Sequence, residues 1–397
     1  MIPRQSTPAY GYTEEIPNGG HTITGVPTSI TVFLGRALTG PVVTDQEGGT
    51  EVIYSFADYE SLFGGLSHDA PMSYGVRDFF LNGGSQAVIA RLLSADNQPL
   101  TPADYVKALE NGVLDHVDIF NLLCIPPDNI EVPTDTAPIV WSSAAAYCVR
   151  RRAMVILDSP VAWTDNARQG NFSADYIDPT KLGIEGDNAR NAAVYFPRVV
   201  EADPLFEDQP RVMPACGLIA GVMAGTDASR GVWKAPAGID AGLNGVLNLE
   251  LAMTDDQNGV LNPLGINCLR RFPVIGLVVW GARTLRGADQ LEDDYKYISV
   301  RRLTLYIEES LYRGTKWAVF EPNAEPLWAS LRLSVNNFLA DLQRQGAFYS
   351  YFVKCDSSTT TPDDIAMGIV NIIVGIAPVE PAEFVVIQIQ QTAGQAS

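Results

Sequence analysis

The sequence predicts a multidomain protein that combines α/β and α+β regions. Its 397 residues are enough for two or three packed domains, and 46% of them are hydrophobic, which supports a buried core. Between about residues 96 and 264, short apolar runs alternate with helical segments, a pattern typical of a mostly parallel sheet covered by helices. The last third changes character, with a long amphipathic helix and strand-like segments near the end of the chain.

The start of the chain predicts an extended arm followed by strands and helices. Residues 1–20 are polar and rich in turn formers such as Pro3, Pro8 and Pro17, so they indicate an arm rather than a packed element. Short β-branched runs then predict strands, and longer runs predict helices. The predicted strands are Thr22–Thr24, Ile30–Leu34 and Ala87–Leu93, and the predicted helices are Asp58–Leu62 and Met72–Leu81.

The middle of the chain repeats a helix-then-strand pattern. Pro102–Asn111 is predicted to be a helix with Thr101 as its N-cap, and Ile119–Ile125 is continuously apolar, as in a buried parallel strand. Further helices are predicted at Ser142–Arg152, Asp187–Ala193 and Pro214–Gly225, and further strands at Ala153–Leu157 and Ala193–Pro197. In the helix at 214–225, glycines 217, 221 and 225 share one face, which predicts close packing.

The last third predicts one buried strand, two long helices and a strand at each side of a proline-rich hinge. The clearest helix is Pro326–Gln345, whose apolar residues recur at gaps of three and four. Thr361 is predicted to begin a helical turn with acids in its first positions. The other predicted elements are the strand Phe272–Trp280, the helix Ser299–Lys316, the strands Ile369–Ile376 and Glu383–Gln391, and the hinge Ala377–Pro381.

Net charge and cysteine usage exclude several classes of partner and site. The formal net charge of −19 disfavours nucleic acid and anionic lipid, which would be repelled. The five widely spaced cysteines form no CxxC pair, so we predict free buried thiols in a reducing cytoplasm and no zinc site. Without an apolar signal segment or a run of about 20 apolar residues, we expect synthesis and assembly in the bacterial cytoplasm and no membrane insertion.

The residues of catalytic chemistry are scarce. Only three histidines are present, and a triad of Ser159, His116 and Asp158 is a poor candidate because its serine and aspartate are adjacent in sequence. The acidic run Glu292–Asp294 could bind a cation, but a solvated loop is the simpler interpretation. We therefore predict no catalytic residue, no cofactor, no metal site and no enzymatic activity.

Several ordered motifs resemble those of the contractile tail sheath family of bacteriophages and related injection machines. Most of them lie after residue 230 and follow the order found in that family. They are Arg230–Gly238 (RGVWKAPAG), Val279–Leu285 (VWGARTL), Tyr297–Leu303 (YISVRRL), Phe320–Trp328 (FEPNAEPLW), Phe338–Ala347 and Ala377–Phe384 (APVEPAEF), with weaker matches at Phe79–Gly84 and Thr13–Ile16. Glu380 departs from the pattern, because the family often has a basic residue there.

The resemblance implies a domain plan. It divides the chain into an N-terminal arm (1–20), an N-terminal sheath region (21–95), a subtilisin-like α/β domain (96–264), a C-terminal tube-proximal sheath domain (265–378) and a C-terminal strand arm (379–397). It implies a helical homo-oligomer around an inner tube protein, with baseplate and terminator or cap proteins at its ends, in a phage tail or a similar particle. The rival functions are a non-contractile self-assembling shell protein and a hydrolase on the α/β domain.

Both chain ends are expected to pair with neighbouring subunits as strands. In a monomer the apolar C-terminal run would be an exposed edge, whereas in a neighbour's sheet it would be paired. The alternative is that both ends pack on their own subunit. The residues predicted to act as inter-subunit strand arms are Tyr12, Glu14, Glu15 and Ile16 at one end and Phe384, Val385, Val386, Ile387 and Ile389 at the other.

A mildly basic region predicts where the inner tube is contacted. Residues 265–354 contain 12 lysines and arginines against 9 acidic residues, a net charge of +3 in an otherwise acidic chain. This excess indicates either a face for an acidic partner or scattered ion pairs. The candidate tube-facing residues are Arg301, Arg302, Arg332, Arg344 and Lys354, which could instead pair internally with Glu308, Glu309 or Glu325.

Overall fold

The computed structural model describes residues 21–43, 49–93, 99–130 and 134–383. In chain order its strands are β1 (Thr31–Gly35), β2 (Glu51–Ile53), β3 (Ala87–Arg91), β4 (Leu122–Cys124), β5 (Met154–Asp158), β6 (Ala192–Phe196), β7 (Val199–Asp203), β8 (Gln209–Met213), β9 (Val246–Leu249), β10 (Ile266–Phe272), β11 (Gly276–Trp280), β12 (Phe348–Lys354) and β13 (Ile373–Pro378). Its helices are α1 (Phe56–Phe63), α2 (Met72–Leu81), α3 (Pro102–Glu110), α4 (Pro138–Arg150), α5 (Val161–Arg168), α6 (Cys216–Arg230), α7 (Asp255–Leu261), α8 (Ile298–Gly314), α9 (Glu325–Arg344) and α10 (Pro362–Ala366).

An eight-stranded sheet forms the centre of the molecule. Its strand order is β11-β10-β6-β5-β4-β1-β3-β2. The six inner strands are parallel, and the edge strands β11 and β2 are antiparallel to their neighbours. One hydrophobic core, containing α3 and α4, covers one face, and a second core, containing α2 and α6, covers the other. The prediction of a mixed α/β fold around a large sheet is therefore confirmed.

The sheet crosses the domain divisions that we drew from the sequence. Strands from 21–95 (β1 to β3), from 96–264 (β4 to β6) and from the start of 265–378 (β10 and β11) all belong to it. The divisions after residues 95 and 264 thus fall inside one hydrogen-bonded sheet, because β1 pairs with both β3 and β4, and β10 pairs with β6.

The predicted glycine stripe of α6 lies against α2. A Cβ atom added at Gly217 would come within 2.1 Å of the carbonyl oxygen of Gly75, and one at Gly221 within 2.5 Å of that of Phe79. Larger side chains at these positions would therefore force the two helices apart. The stripe allows two backbones to pack directly against each other beneath the sheet.

Several predicted elements differ from the structure in their bounds, and three are wrong in kind or division. Thr22–Thr24 forms no strand, and Ile23 instead packs against Leu303 and Ile307 of α8. The predicted strand Phe272–Trp280 is the end of β10, a turn and β11, because the proline at 273 has no N–H to continue the ladder. The predicted helix at 187–193 is a short 3-10 helix, Gly186–Asn191, followed at once by β6.

The last part of the chain forms a smaller layer beside the central sheet. Helices α8 and α9 share a core that includes Leu303, Val335 and Phe338. Strands β12 and β13 pair antiparallel as a separate two-stranded sheet and add Phe348 to this core. A third small sheet has the order β8-β7-β9.

A buried acid pair joins α2 to β7. Asp78 and Glu201 are both buried, and both contact the guanidinium of Arg77. The second oxygen of each carboxyl, Asp78 Oδ2 and Glu201 Oε1, is buried without another hydrogen-bond donor among the described residues. Burial, reinforced by the charge of Asp78, raises the pKa of Glu201 well above its usual value. One arginine cannot neutralise two buried carboxylates, so we infer that Glu201 holds a proton and donates it to Asp78.

We predict that Glu201→Gln reduces the fall in the free energy of unfolding as the pH becomes alkaline. A carboxyl whose pKa is raised by folding binds its proton more tightly in the folded state, so the free energy of unfolding falls as pH rises above the unfolded pKa. This loss is at most about 1.4 kcal/mol per pH unit. Glutamine keeps the donor and has no proton to lose. Urea midpoints between pH 5 and 9 should therefore fall less for Glu201→Gln than for the wild type, whereas the exposed control Glu110→Gln should follow the wild type. Parallel curves for all three proteins would contradict the prediction.

Candidate subunit-assembly site

The two-stranded sheet of β12 and β13 offers two unpaired edges. Val353 lies opposite Val374 in the antiparallel register, and both pack inward on the core of α8 and α9. Among the described residues, neither outer edge has a strand partner. An isolated two-stranded ribbon is marginal in water, and three or more strands are usually needed for stability. The sheet is thus suited to accept further strands.

The outer face of this small sheet is apolar and exposed. Tyr349, Phe352 and Ile373 are 72%, 56% and 48% exposed. Phe352 lies over Gly375, where an added Cβ would meet its ring at 2.2 Å. An exposed apolar strand surface with free edges is the arrangement that monomeric proteins usually avoid. It therefore indicates an interaction surface.

A loop beside the end of this sheet presents a second apolar contact. The ring of Phe320 is fully exposed, and its backbone φ of 72° is unfavourable for a non-glycine residue. Asn323 holds the loop by accepting a hydrogen bond from Trp328 Nε1 at 2.8 Å and donating one to the carbonyl of Ile369 at 3.0 Å. The motif Phe320–Trp328 thus holds its loop in place with the Phe320 side chain exposed to solvent.

The last described residues are anchored by a buried arginine. The Arg283 guanidinium is 1% exposed and binds both carboxylate oxygens of Glu383, with Nε–Oε1 and Nη2–Oε2 distances of 2.8 and 2.6 Å. Burial alone would raise the pKa of Glu383, but its hydrogen bonds to Arg283 hold that pKa below its usual value. The hydroxyl of Tyr297 and the amide of Asn262 also donate to Glu383, each at 3.3 Å. These contacts therefore fix the Glu383 side chain on the subunit surface.

Four of the family-like motifs meet at one cavity beside this anchor. The cavity has a volume of about 430 Å³. Its walls come from Arg230–Gly238, Val279–Leu285, Tyr297–Leu303 and Ala377–Phe384, the last through residues 379–383. These motifs are far apart in sequence, and their convergence explains how they can act together.

The predicted strand-arm residues lie outside the described part of the chain. These are Tyr12, Glu14, Glu15, Ile16, Phe384, Val385, Val386, Ile387 and Ile389. The described chain starts next to the small layer, where His21 stacks on Trp317 with ring centroids 3.8 Å apart and Ile23 is buried. It stops at Glu383, five residues beyond the end of β13.

Two of the five predicted tube-facing residues are held inside the subunit. Arg302 is 4% exposed and binds both carboxylate oxygens of the buried Asp227, with distances of 2.6 and 2.9 Å. It also donates to the carbonyl of Thr28 at 2.8 Å. Arg301 is mostly covered, donating to Asn191 at 3.0 Å and lying 3.9 Å from Glu308. These two side chains hold α8 against its surroundings.

The other three predicted basic residues lie nearer the surface. Arg332 pairs with Glu325 at 2.5 Å and donates to the carbonyl of Cys355. Arg344 is exposed and pairs with Asp341 in the last turn of α9. Lys354 is exposed and has no ion pair within the described ranges. Because Arg332 and Arg344 are 12 residues apart on α9, about 18 Å along its axis, the five do not form one patch.

The imagined serine triad is not assembled. Asp158 is the last residue of β5 and Ser159 follows it, whereas His116 precedes β4, at the opposite end of the parallel pair β4 and β5. Asp158 Oδ1 instead accepts from the backbone N–H groups of Ala215 and Cys216 at 2.6 and 2.9 Å, where it caps α6. Ser159 therefore lacks the neighbouring histidine base that this triad would need.

In the acidic run at 292–294, the central residue is held by internal ion pairs, and Glu292 and Asp294 are exposed. Asp293 is buried and binds Arg190 and Arg286 at 3.0 and 2.9 Å. Across the described ranges, no group of three or more histidines, cysteines, aspartates or glutamates is arranged to hold a metal ion. Nor does any helix in that part of the chain combine the length and hydropathy needed to cross a bilayer. All five cysteines are free and buried.

Comparison with known proteins decides the family. Residues 98–285 match the model of the phage tail sheath protein central domain, and residues 291–392 match that of the phage tail sheath C-terminal domain. This chain belongs to the tail sheath family. The resemblance drawn from its motifs is thereby confirmed, and the two matched ranges contain all six motifs from residue 230 onward. The weaker matches at 79–84 and 13–16 lie outside both ranges.

Solved sheath structures share the fold over nearly the whole chain. The anti-feeding prophage helical sheath in its contracted state is 32% identical, with a TM-score of 0.75 over 98% of this chain and 100% of that one. A chain of the anti-feeding prophage baseplate is 31% identical, with a TM-score of 0.74 over 98% and 100%. The sheath complex of the PVC extracellular contractile injection system, also contracted, is 27% identical, with a TM-score of 0.71 over 98% and 99%.

Curated relatives of this sheath-family chain are longer. The tail sheath protein of Enterobacteria phage T4 is 26% identical over 340 residues, which are 80% of this chain and 46% of that protein. The tail sheath protein of Vibrio phage KVP40 is 28% identical over 229 residues, which are 55% and 33%. The putative prophage major tail sheath protein of Pseudomonas aeruginosa is 26% identical over 240 residues, 58% and 56%. The chain therefore spans between a third and just over half of these relatives.

Proposed function

We propose that this chain is a non-enzymatic structural subunit that polymerises helically around an inner tube and contracts to drive that tube through a target envelope. The observation that carries this proposal is the sheet of β12 and β13, which has an apolar outer face and whose two edges are unpaired within the described part of the chain. In a lattice, each such sheet would accept strands from neighbouring copies, through the arms at 1–20 and 384–397. Contraction would then move each subunit as a rigid body, with the arms as hinges.

Strand addition can hold such a lattice together while its subunits move. Each main-chain hydrogen bond contributes about 0.5–1.5 kcal/mol net, so six to eight of them give a few kcal/mol per link. Burial of apolar side chains on the outer face adds to this. Arg283 fixes Glu383, the residue before the arm. Turning of the subunit body would therefore be absorbed by the arm beyond Glu383, and the link to the neighbouring copy would persist. We extend the proposal to a subtilisin-like topology for the central domain, supported by its doubly covered parallel sheet.

The proposed partners are further copies of the chain, an inner tube protein, and baseplate and terminator or cap proteins. Assembly would take place in the bacterial cytoplasm, as part of a phage tail or an injection particle. Negative-stain microscopy of the purified full chain tests the function: we expect hollow, striated cylinders. Flat lattices or closed shells would favour a non-contractile shell protein, and particles that remain single subunits at high concentration would contradict polymerisation.

We further propose that the tube contact uses the basic residues left near the surface, Arg332, Arg344 and Lys354. An acidic tube surface would complement these charges, and such contacts set association rate and register more than affinity. We predict that the double reversal Arg344→Glu with Lys354→Glu gives sheaths that form without a tube or contract early. Lys181→Glu, which reverses an exposed charge in the central domain, is the matched control. Extended, tube-filled particles with the double reversal would contradict this assignment.

A further inference from the structure

We propose that the cavity beside Glu383 is a binding site for the aromatic side chain of Phe384 in the unassembled subunit. The site would hold the first residues of the C-terminal segment 384–397 until a neighbouring copy accepts that segment. The consequence for assembly rests on the proposed function. The binding site itself follows from the cavity, the position of Glu383 and one unpaired hydrogen-bond acceptor.

The cavity has the size and lining of a site for an aromatic side chain. At about 430 Å³, it lies within the range of about 300–1,000 Å³ that is common for ligand pockets. Its walls include Trp233, Trp280 and Tyr297 and small residues such as Ala235 and Ala282. The polar members of the lining are Lys234, Asn258, Asn262, Glu380 and Glu383. Aromatic rings pack well against one another in offset or edge-on arrangements, so the aromatic part of these walls suits an aromatic side chain.

The chain leads directly into this site. Glu383 lines the cavity, and its side chain is fixed there by Arg283. Successive Cα atoms are about 3.8 Å apart, so the side chain of Phe384 would be within reach of this cavity from a fixed Glu383. Phe384 is the last residue of the motif Ala377–Phe384, of which residues 379–383 already form part of the wall. An aromatic occupant is therefore available in the same chain without any large movement.

A hydrogen-bond acceptor on α7 that has no donor in the described chain indicates a peptide segment as the ligand. Asn262 donates to Glu383 Oε1 at 3.3 Å. Asn258 precedes it by one helical turn and also lines the cavity, but its buried Oδ1 has no hydrogen-bond partner. Residues four apart lie about 5–6 Å from each other on one helix face, and an extended chain advances about 3.3 Å per residue. The backbone N–H of residue 384 or 385 would thus come level with Asn258 Oδ1.

Such a site would protect the free subunit from unspecific strand pairing, a risk that the proposed strand exchange creates. The run Phe384–Ile389 is apolar and rich in β-branched residues, so an unpaired copy of it promotes unspecific edge pairing. Binding of Phe384 in the cavity would shield the start of this run in the free subunit. On assembly the segment would leave for the neighbouring sheet, and the cavity would be vacated.

A fluorescence measurement on the full chain tests the site. Because the five native cysteines are buried, Val385→Cys provides one accessible thiol for a bimane label, which tryptophan quenches on close contact. In the free subunit we expect the label to be several-fold dimmer than in the same labelled chain carrying Phe384→Ala, and also dimmer than with Trp280→Leu. On polymerisation of the otherwise unchanged labelled chain, the fluorescence should rise.

Equal brightness in the free labelled chain, with and without Phe384→Ala, would overturn the proposal. This comparison does not depend on the fold of the cavity variant, because residue 384 follows the last described residue. Polymerisation of a chain that ends at Glu383 reports separately on the proposed function. If the label is quenched and the shortened chain polymerises normally, the binding site is supported and strand exchange is rejected. If the label is not quenched and the shortened chain fails to polymerise, the binding site is rejected and strand exchange is supported.

Discussion

A chain that ends at Glu383 should fold normally and fail to form cylinders. The anchor between Arg283 and Glu383 remains intact, and all described elements of the fold lie before this point, so the free energy of unfolding should change little. Each link in the proposed lattice would lose the few kcal/mol that six to eight main-chain hydrogen bonds supply. Because every copy both gives and receives a strand, the loss applies at every link. Sedimentation and negative-stain microscopy at equal concentrations measure the effect.

A finer version of this experiment keeps the chain at full length. Val386→Pro removes one backbone donor from the proposed strand and should weaken polymerisation strongly, whereas Val386→Thr keeps the donor and should weaken it little. Cylinders formed by the shortened chain as readily as by the full chain would contradict the prediction. The alternative in which both ends pack on their own subunit would then be favoured.

Arg302→Met should destabilise the subunit by about 3–5 kcal/mol, the usual effect of breaking a buried ion pair. Arg302 and Asp227 are 4% and 3% exposed, and the substitution leaves the carboxylate buried without its partner. Burial already raises the pKa of Asp227 despite the opposing charge of Arg302, so this carboxyl should take up a proton in the variant. Urea unfolding at pH 7 measures the loss.

A double substitution separates this structural role from a role in tube contact. Arg302→Met with Asp227→Leu replaces the pair by apolar side chains and should recover much of the stability. Arg344→Met, at an exposed ion pair, should have little effect on unfolding. A stable Arg302→Met subunit that assembles but does not hold its tube would contradict our assignment of Arg302 to the interior.

The sequence predicts the central sheet well because its strands carry strong local signals. The runs at β1, β3 and β5 are continuously apolar, as buried parallel strands require, and α2 has the predicted bounds. We missed β8, which begins Gln209-Pro-Arg and lies at the edge of a small sheet, because such a polar run has no apolar pattern. We also missed β12, although its alternating pattern, with Tyr351 and Val353 facing inward, is typical of a half-buried strand.

The candidate site depends on contacts that no local pattern contains. Arg283 and Glu383 are 100 residues apart, and only the fold brings them together. The sequence marked both residues only by placing each in a family-like motif. Nothing in those motifs indicated that they meet in the fold. Arg301 and Arg302 are adjacent and carry the same charge, yet the packing of α8 buries the second against Asp227. Charge counting predicts a basic region but cannot tell which of its members are consumed by internal ion pairs.

Hydrogen exchange on the small sheet tests the central claim most directly. In the free subunit, the amides of β12 and β13 that point to the outer edges should exchange rapidly, because no strand in the part of residues 21–383 that the structure describes pairs with them. In assembled cylinders they should exchange at least about tenfold more slowly, since pairing worth a few kcal/mol corresponds to that factor or more. Peptides from α9 serve as the internal control. Unchanged exchange of residues 348–354 and 373–378 on assembly would contradict the claim that this sheet receives strands from neighbouring copies.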